Sequence, residues 1–201
     1  MAIRSAVTPS TLKEIQRSLP REISYTKGLK RAVAKEVQRE NDKLLESFEK
    51  HPVTIEIAGG VSASNLSGTL NGIGNLFTYI GFTAGSKPLT PIRELLQHYE
   101  ISYHHIKTKT VITITAPTKE DIFRATPMPW ATGRSWAKGI ERGISGLGRY
   151  LSQPSTNSRS GKGLQVKGRL RTGRFNNTSY LSSLLNKYYK NIKKIEKMTL
   201  S

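Results

Sequence analysis

Two stretches of the chain repeat apolar residues with the period of an amphipathic helix. The first covers residues 27–48 and ends before His51 and Pro52, because the residue that precedes a proline disfavours the helical conformation. The second covers residues 179–197. The pattern therefore predicts one long helix near the N-terminus and another helix near the C-terminus. The apolar stripes are Leu29, Val33, Val37, Leu44, Leu45 and Phe48 in the first, and Leu181, Leu184, Leu185, Tyr188, Ile192 and Ile195 in the second.

Two shorter apolar runs are separated by a long glycine-rich segment. Residues 53–57 and 76–82 are rich in β-branched and aromatic side chains and predict strands. Residues 58–75 between them supply little apolar packing, so they predict a loop of 18 residues. Compact domains seldom contain so long a loop without a functional reason. We expect it to be mobile in the monomer and ordered only by neighbouring subunits.

A β-hairpin is predicted in the middle of the chain. Residues 101–106 and 111–115 are two β-type runs that flank a short Lys-Thr-Lys-Thr turn. Because side chains alternate along a strand, the second run should present two different faces. The first face would carry Val111, Thr113 and Thr115, and the second Ile112 and Ile114.

Shorter helices are predicted on both sides of the hairpin. Thr90 can cap a helix that begins at Pro91, and Thr118 can cap another that carries acidic residues in its first turn. A proline-set connector, TPMPW at residues 126–130, then leads into a helix predicted over residues 135–151. These elements complete the secondary structure that the pattern predicts.

Together the elements predict an α+β fold. A long N-terminal helix is packed on a small antiparallel sheet, with further helices, a basic extended arm and a C-terminal helix. The predicted segments are an N-terminal arm and short helix (1–26), an α+β core domain with the glycine-rich loop at 58–75 (27–151), a basic flexible arm (152–178) and a C-terminal amphipathic helix (179–201).

The net charge, the absence of cysteine and the lack of long apolar runs exclude several classes of protein. The 201 residues carry a net charge of +18, which points to a polyanion or an acidic protein surface as partner. Cysteine is absent, which excludes disulfide scaffolds, cysteine-ligated zinc and thiol catalysis. No apolar run approaches the roughly 20 residues that span a bilayer, and the N-terminus lacks the apolar stretch of a secretion signal. We therefore expect a soluble protein, made in the cytoplasm and without a membrane partner.

The sequence offers no coherent catalytic or metal site. The only aspartates, Asp42 and Asp121, fall in helical patterns, and nothing places them beside another carboxylate. His104 and His105 are neighbours on a predicted strand and face opposite sides, so they cannot share one metal ion. A glycine-containing stretch around Lys162 lacks the serine or threonine and the preceding glycine of a phosphate loop. We expect no enzymatic activity, no cofactor and no metal.

The C-terminal third is strongly basic. Residues 142–195 hold twelve lysines and arginines and no acid. Six of these residues lie in the predicted arm, where charges of one sign repel each other and need an anionic surface on which to order. The alternative is a tail that only keeps the protein soluble. No helix-turn-helix pattern or RNA-binding aromatic signature is present, so we do not expect sequence-specific recognition. The arm residues are Arg159, Lys162, Lys167, Arg169, Arg171 and Arg174.

A second candidate surface lies in and after the TPMPW connector. Trp130 and Trp136 are large aromatic residues, and Gly139 and Gly143 stand four residues apart on the predicted helix, where they would let another backbone approach. These four residues are predicted to form a subunit interface. The alternative is that both tryptophans belong to the core of the monomer.

The order of these segments resembles a known class of viral proteins. A long helix, then HPVTIEIAGG, SGTLNGIGNLFTYIGF, a hairpin and IFRATPMPWATGRSWAKGIERGISGLGRYL is similar to the neck or tail-completion proteins of long-tailed bacteriophages. The resemblance spans residues 27–194, is one of pattern, and includes no catalytic motif. The glycine-rich loop is longer than the loop expected at this place in the family. No functional residue of the family can be assigned to a position of this sequence.

The resemblance implies a virion protein of the neck or tail region. Copies would form a ring around the DNA channel, as a tail-completion or tail-terminator protein of the head–tail connector. The partners would be copies of the same chain and neighbouring portal-side and tail proteins, with genome DNA in the channel as a further contact. The alternative is a non-specific nucleic-acid-binding protein, ribosome- or nucleoid-associated, with a basic C-terminal arm.

Overall fold

The computed structural model describes residues 23–70, 74–106, 109–129, 131–142, 150–151, 164–165 and 178–198. These residues form a mixed α+β fold, as predicted. The helices are α1 (Ile23–Glu49), α2 (Pro52–Ala58), α3 (Leu76–Ile80), α4 (Thr90–Gln97), α5 (Lys119–Arg124), α6 (Trp136–Arg142) and α7 (Leu181–Met198), with a 3-10 helix at Gly60–Ser62. The strands are β1 (Glu100–Ile106), β2 (Lys109–Thr115), β3 (Pro127–Met128), β4 (Ala131–Ser135), β5 (Tyr150–Leu151) and β6 (Leu164–Gln165), paired in that order as three antiparallel two-stranded sheets.

The chain forms two compact units. The hairpin unit comprises the described parts of Met1–Asp42, Tyr99–Ala116 and Tyr188–Ser201. The core unit comprises the described parts of Lys43–His98 and Pro117–Lys187. The four consecutive segments predicted along the sequence stay a prediction.

In the hairpin unit, helix α1 packs on the β1–β2 sheet. The Tyr103 hydroxyl donates a hydrogen bond to the Lys30 carbonyl (3.4 Å), and the Lys30 ammonium lies 5.1 Å from the Tyr103 ring centroid. The predicted alternation on β2 is confirmed, because Ile112 is buried whereas Val111, Thr113 and Thr115 are exposed. Helix α7 joins this unit through the Asn191 amide, which donates to the buried Glu40 carboxylate at 2.7 Å.

The core unit is helical and closely packed. Phe48 at the end of α1 lies 6.2 Å from the Tyr180 ring, and Trp136 of α6 meets the Phe82 ring edge-on at 5.8 Å. Arg93 of α4 holds Glu49 of α1 with two parallel hydrogen bonds of 2.6 and 2.9 Å, the bidentate geometry that a guanidinium favours. The other large buried side chains of this unit include Ile57, Leu76, Ile80, Ile92, Leu96, Ile122, Ile140, Leu181 and Leu185.

Two predicted strands are helices in the structure. Residues 53–57 lie in α2, where Pro52 occupies the first turn and the His51 ring accepts a hydrogen bond from the Val53 amide. Residues 76–80 form α3, whose N-cap is Asn75 and whose C-cap is Gly81 in the left-handed conformation (φ 94°). The prediction of strands over residues 53–57 and 76–82 was therefore wrong, whereas Val33, Val37, Leu44 and Phe48 of the predicted apolar stripe are buried.

Other boundaries also differ from the prediction. Leu89 rather than Thr90 is the N-cap of α4, and the connector at residues 126–130 contributes the strand β3, which pairs with β4. Tyr150 and Leu151 form β5, so the helix predicted to reach residue 151 ends earlier. The capping box is confirmed at Thr118 and Asp121, and α1 and α7 match their predicted helices within a few residues.

Among the described residues, no helix is both long and apolar enough to span a membrane.

Candidate functional site

A buried carboxylate fixes the described part of the glycine-rich segment. Glu56 of α2 is 0 % exposed, and its two oxygens accept the Leu76 amide at 2.7 Å and the Ser67 amide at 2.8 Å. An acid in such a place is stable because both of its oxygens are paired. One side chain therefore ties the start of α3 and the middle of the segment to α2.

Asn75 supplies a second set of ties. Its amide nitrogen donates to the carbonyls of Val61 and Ala63, both at 3.0 Å, and its oxygen accepts the Thr78 amide at 2.9 Å. The same residue thus caps α3 and holds residues 61–63. Neighbouring subunits were expected to order this segment, but in the structure the chain itself supplies these contacts.

The anchored segment exposes apolar side chains. Ile55, Val61 and Leu66 are 45 %, 52 % and 55 % exposed, and we call these three residues the apolar rim. Among the described residues, the other large apolar side chain with comparable exposure is Val111. The amide group of Asn65, next to Leu66, is buried and has no partner among the described residues. Three exposed large apolar side chains within twelve residues make this segment a candidate protein-binding surface.

The rings of His51 and Tyr180 contact each other at the start of α2. The Tyr180 hydroxyl is buried against the Thr54 hydroxyl at 2.7 Å, and burial raises the pKa of Tyr180. The His51 ring centroid lies 4.7 Å from that of Tyr180. Burial lowers the pKa of His51, and a hydrogen bond with the Ser179 backbone partly offsets this. The neutral imidazole can then act as the N-cap acceptor of α2.

The hairpin unit carries exposed cations on two helices. Lys27, Arg31 and Lys35 recur every fourth residue along α1 and are all exposed; we call them the basic stripe. Lys190, Lys193 and Lys194 are exposed on α7. None of these six forms an ion pair within the described part of the chain.

Most of the predicted arm lies outside the described residues; the described part is β6 (Leu164–Gln165), which pairs with β5, and Thr178. Its six cations lie outside the described residues, and they are Arg159, Lys162, Lys167, Arg169, Arg171 and Arg174.

The predicted interface is described in part, since Trp130 and Gly143 also lie outside the described residues. Trp136 is 1 % exposed and packs on Phe82, which agrees with the alternative that it belongs to the monomer core. Gly139 is half-buried on α6. An interface role for these four residues stays a prediction.

The buried polar groups of the core unit serve packing. The Glu141 carboxylate accepts both the amide and the hydroxyl of Ser182 at the start of α7, as a helix cap does. The described residues contain no group of three or more histidine, aspartate or glutamate side chains placed to hold a metal ion.

Comparisons with family models, curated proteins and solved structures find no significant match to this chain.

Sequence reasoning missed the roles of Glu56, the apolar rim and the basic stripe. A single acid inside an apolar run, directly before a glycine-rich segment, was the available signal for Glu56. The spacing of four residues between Lys27, Arg31 and Lys35 was the available signal for the basic stripe. The exposure of Ile55, Val61 and Leu66 had no signal, since it depends on how the segment folds back.

Proposed function

We propose that this protein is a structural component of a tailed-phage virion. In this proposal it is a ring-forming neck, tail-completion or tail-terminator protein that connects head and tail around the DNA channel. The family-like order of segments in the sequence motivates the proposal, and the apolar rim supports it.

The apolar rim is the observation that carries the proposal. Glu56 and Asn75 hold the backbone around Ile55, Val61 and Leu66 before any partner arrives. A surface that is already ordered loses less conformational entropy on binding. In a ring, each copy uses one patch to meet a different patch on the next copy, so a preformed rim suits this head-to-tail contact.

The charge of the chain fits the same assembly. Each copy carries +18, and copies gathered in a ring would repel one another unless anions compensate them. Genome DNA in a central channel presents negatively charged phosphates whatever its base sequence. A connector of this composition therefore assembles best around DNA or against acidic neighbouring rings.

The decisive measurement is the copy number in virus particles. Gradient-purified, nuclease-treated particles of the phage that encodes the chain should contain a small, fixed number of copies by quantitative mass spectrometry. Absence from particles, or an amount that follows bulk nucleic acid, contradicts the proposal.

A pair of variants tests the rim itself. Replacing Val61 and Leu66 with serine removes apolar contact area and should lower the copy number per particle, with an unchanged melting temperature. Val111→Ser is the matched control, since Val111 is also exposed but lies in the hairpin unit. Equal incorporation of both variants would exclude the rim as a subunit contact.

The second candidate function is non-specific nucleic-acid binding by a ribosome- or nucleoid-associated protein. The run of twelve basic residues without an acid over residues 142–195 favours it. Such a protein would sediment with bulk nucleic acid and be released by nuclease or salt, whereas a connector stays with intact particles.

A further inference from the structure

The described carboxylates of the hairpin unit already have partners inside the chain. Glu36 pairs with Arg39, Glu40 accepts from Asn191, and Asp42 accepts from Gln38 at 2.7 Å. Glu100 also has an interaction of its own. Among the described residues, none of these acids forms an ion pair with the basic stripe or with the three exposed α7 lysines.

The basic stripe places its three cations in a row along one side of α1. Lys27, Arg31 and Lys35 lie on one side of α1, and the eight steps from Lys27 to Lys35 span about 12 Å at the helical rise of ~1.5 Å per residue. Gly28, Ala32 and Ala34 are exposed beside them and add almost no bulk. A polyanion backbone can therefore approach the helix closely while three cations reach it.

We infer that the basic stripe is a nucleic-acid-binding site that takes the phosphate backbone of DNA or RNA without regard to sequence. The site is distinct from the predicted arm. It does not depend on the proposed ring, since a monomer would show it, and a ring without it would still assemble.

An acidic protein surface fits the stripe less well. Protein interfaces use apolar and aromatic anchors and are depleted in lysine. Among the described residues of the hairpin unit, Val111 is the one large apolar side chain with substantial exposure, and it lies on β2 rather than on α1. The stripe itself offers charge alone, which suits contacts to phosphate.

An anionic membrane also fits less well. A basic amphipathic helix binds lipid by inserting its apolar face between headgroups. In α1 the apolar positions Val33 and Val37 are buried, and in α7 Tyr188, Ile192 and Ile195 are buried. No apolar face of these two helices is free for insertion within the described residues.

The test is the salt dependence of DNA binding by the full chain. Fluorescence anisotropy with a labelled mixed-sequence duplex, between about 50 and 200 mM salt, gives the slope of log K against log salt. Replacing Lys27, Arg31 and Lys35 together with glutamine should reduce the magnitude of this slope by about 2.7, since each lost phosphate contact contributes about 0.9. The charge-preserving variant K27R/R31K/K35R should keep the slope of the natural chain.

The matched control removes the same charge elsewhere. Lys87, Arg134 and Lys138 are exposed, lie in the core unit, and have the same composition of two lysines and one arginine. Their triple glutamine variant should leave the slope unchanged. An equal change in both triple variants would mean that binding reports net charge only, and no change in the stripe variant would overturn the site.

A polyglutamate peptide serves as the competing ligand. If the peptide binds through the stripe and the duplex does not, the partner is an acidic protein and the inference is wrong. Circular dichroism of every variant checks that the fold is intact, because the stripe residues are exposed and their replacement should not change it.

Discussion

At the scale of single residues, the buried Glu56 links separate parts of the chain. Its carboxylate replaces water for two backbone amides that belong to different parts of the chain. Leaving either amide unpaired in the interior costs free energy comparable to a lost hydrogen bond. Together with Asn75, this side chain holds the described part of the glycine-rich segment.

The variant Glu56→Gln tests this role. Glutamine keeps one acceptor but turns an NH₂ group toward an amide N–H, so one hydrogen bond is lost and two donors face each other. We expect the free energy of unfolding, measured with urea, to fall by about 1–3 kcal/mol. Amide exchange at Ser67 and Leu76 should become faster at the same time.

Glu94→Gln is the control for that experiment. Glu94 is exposed on α4, and the same chemical change there should leave the urea midpoint unchanged. If Glu56→Gln also leaves the urea midpoint unchanged, the Glu56 carboxylate does not hold the glycine-rich segment.

Two buried tyrosines provide an internal comparison. The Tyr180 hydroxyl is paired with Thr54, whereas the buried Tyr188 hydroxyl has no hydrogen-bond partner among the described residues. Burial, with smaller contributions from the neighbouring Tyr99, Tyr189 and Glu40, raises the pKa of Tyr188 to about 12. An unpaired buried hydroxyl costs roughly 1–3 kcal/mol.

We therefore predict opposite effects of the same substitution. Tyr188→Phe should raise the free energy of unfolding by on the order of 1 kcal/mol, because it removes a buried polar group without a partner. Tyr180→Phe should lower it by a similar amount, because it leaves the Thr54 hydroxyl unpaired. Thermal melting of the two variants decides the matter, and a loss of stability in both would show that Tyr188 has a partner after all.

At the scale of elements, α1 is an amphipathic helix whose buried face the pattern predicted. Val37 is completely buried, whereas Ala34, one turn earlier on the same helix, is exposed. Both positions lie within the same helix and differ in burial. The same substitution at each therefore separates the effect of burying a charge from its effect on helix propensity.

Aspartate at these two positions should behave differently. Val37→Asp would bury an unpaired charge, and we expect a loss of more than about 4 kcal/mol and failure of soluble expression. Ala34→Asp should express and melt close to the natural chain. Soluble, native-like Val37→Asp would refute the assignment of this face to the core.

The N-terminus of α2 is sensitive to acid through His51. Burial lowers its pKa below the usual value of about 6.5, so the unfolded chain binds a proton more readily than the folded one. The stabilising contribution is complete above about pH 6.5 and is lost as the pH falls below it. Protonation of the imidazole would also remove the acceptor for the Val53 amide.

His51→Asn should flatten this pH dependence. Asparagine can still accept the Val53 amide as an N-cap, but it does not titrate. We expect urea unfolding between about pH 6.5 and 5 to depend less on pH than in the natural chain. His104→Asn, exposed on β1, should keep the natural slope, and the same slope in all three proteins would rule out His51 as the titrating group.

At the scale of the whole molecule, charge is the dominant property. The six cations of the predicted arm lie outside the described residues, so their role rests on the sequence alone. Replacing Arg169, Arg171 and Arg174 together with alanine should leave the melting temperature unchanged, because an exposed arm contributes little to the core. Incorporation into particles should decrease, and more strongly at higher salt, since screening weakens the remaining contacts. Normal assembly of this variant at every salt concentration would reduce the arm to a solubilising tail.

The sequence by itself determined the elements whose signal is local and repeated. Helices α1 and α7 follow from apolar residues at helical spacing, and the β1–β2 hairpin follows from alternation around a short turn. The capping box at Thr118 and Asp121 is likewise a contact between residues three apart. Each of these signals lies within one element, where the period of the backbone fixes which side chains share a face.

Only the tertiary structure decided the nature of the short apolar runs. The apolar residues of 53–57 and 76–80 show no period that separates a helix from a strand, and both runs pack into the core as helices. The same holds for Glu56, whose partners lie 11 and 20 residues away, and for the apolar rim, whose exposure follows from those bonds. Contacts between distant residues depend on the path of the chain in space, and no local pattern records that path.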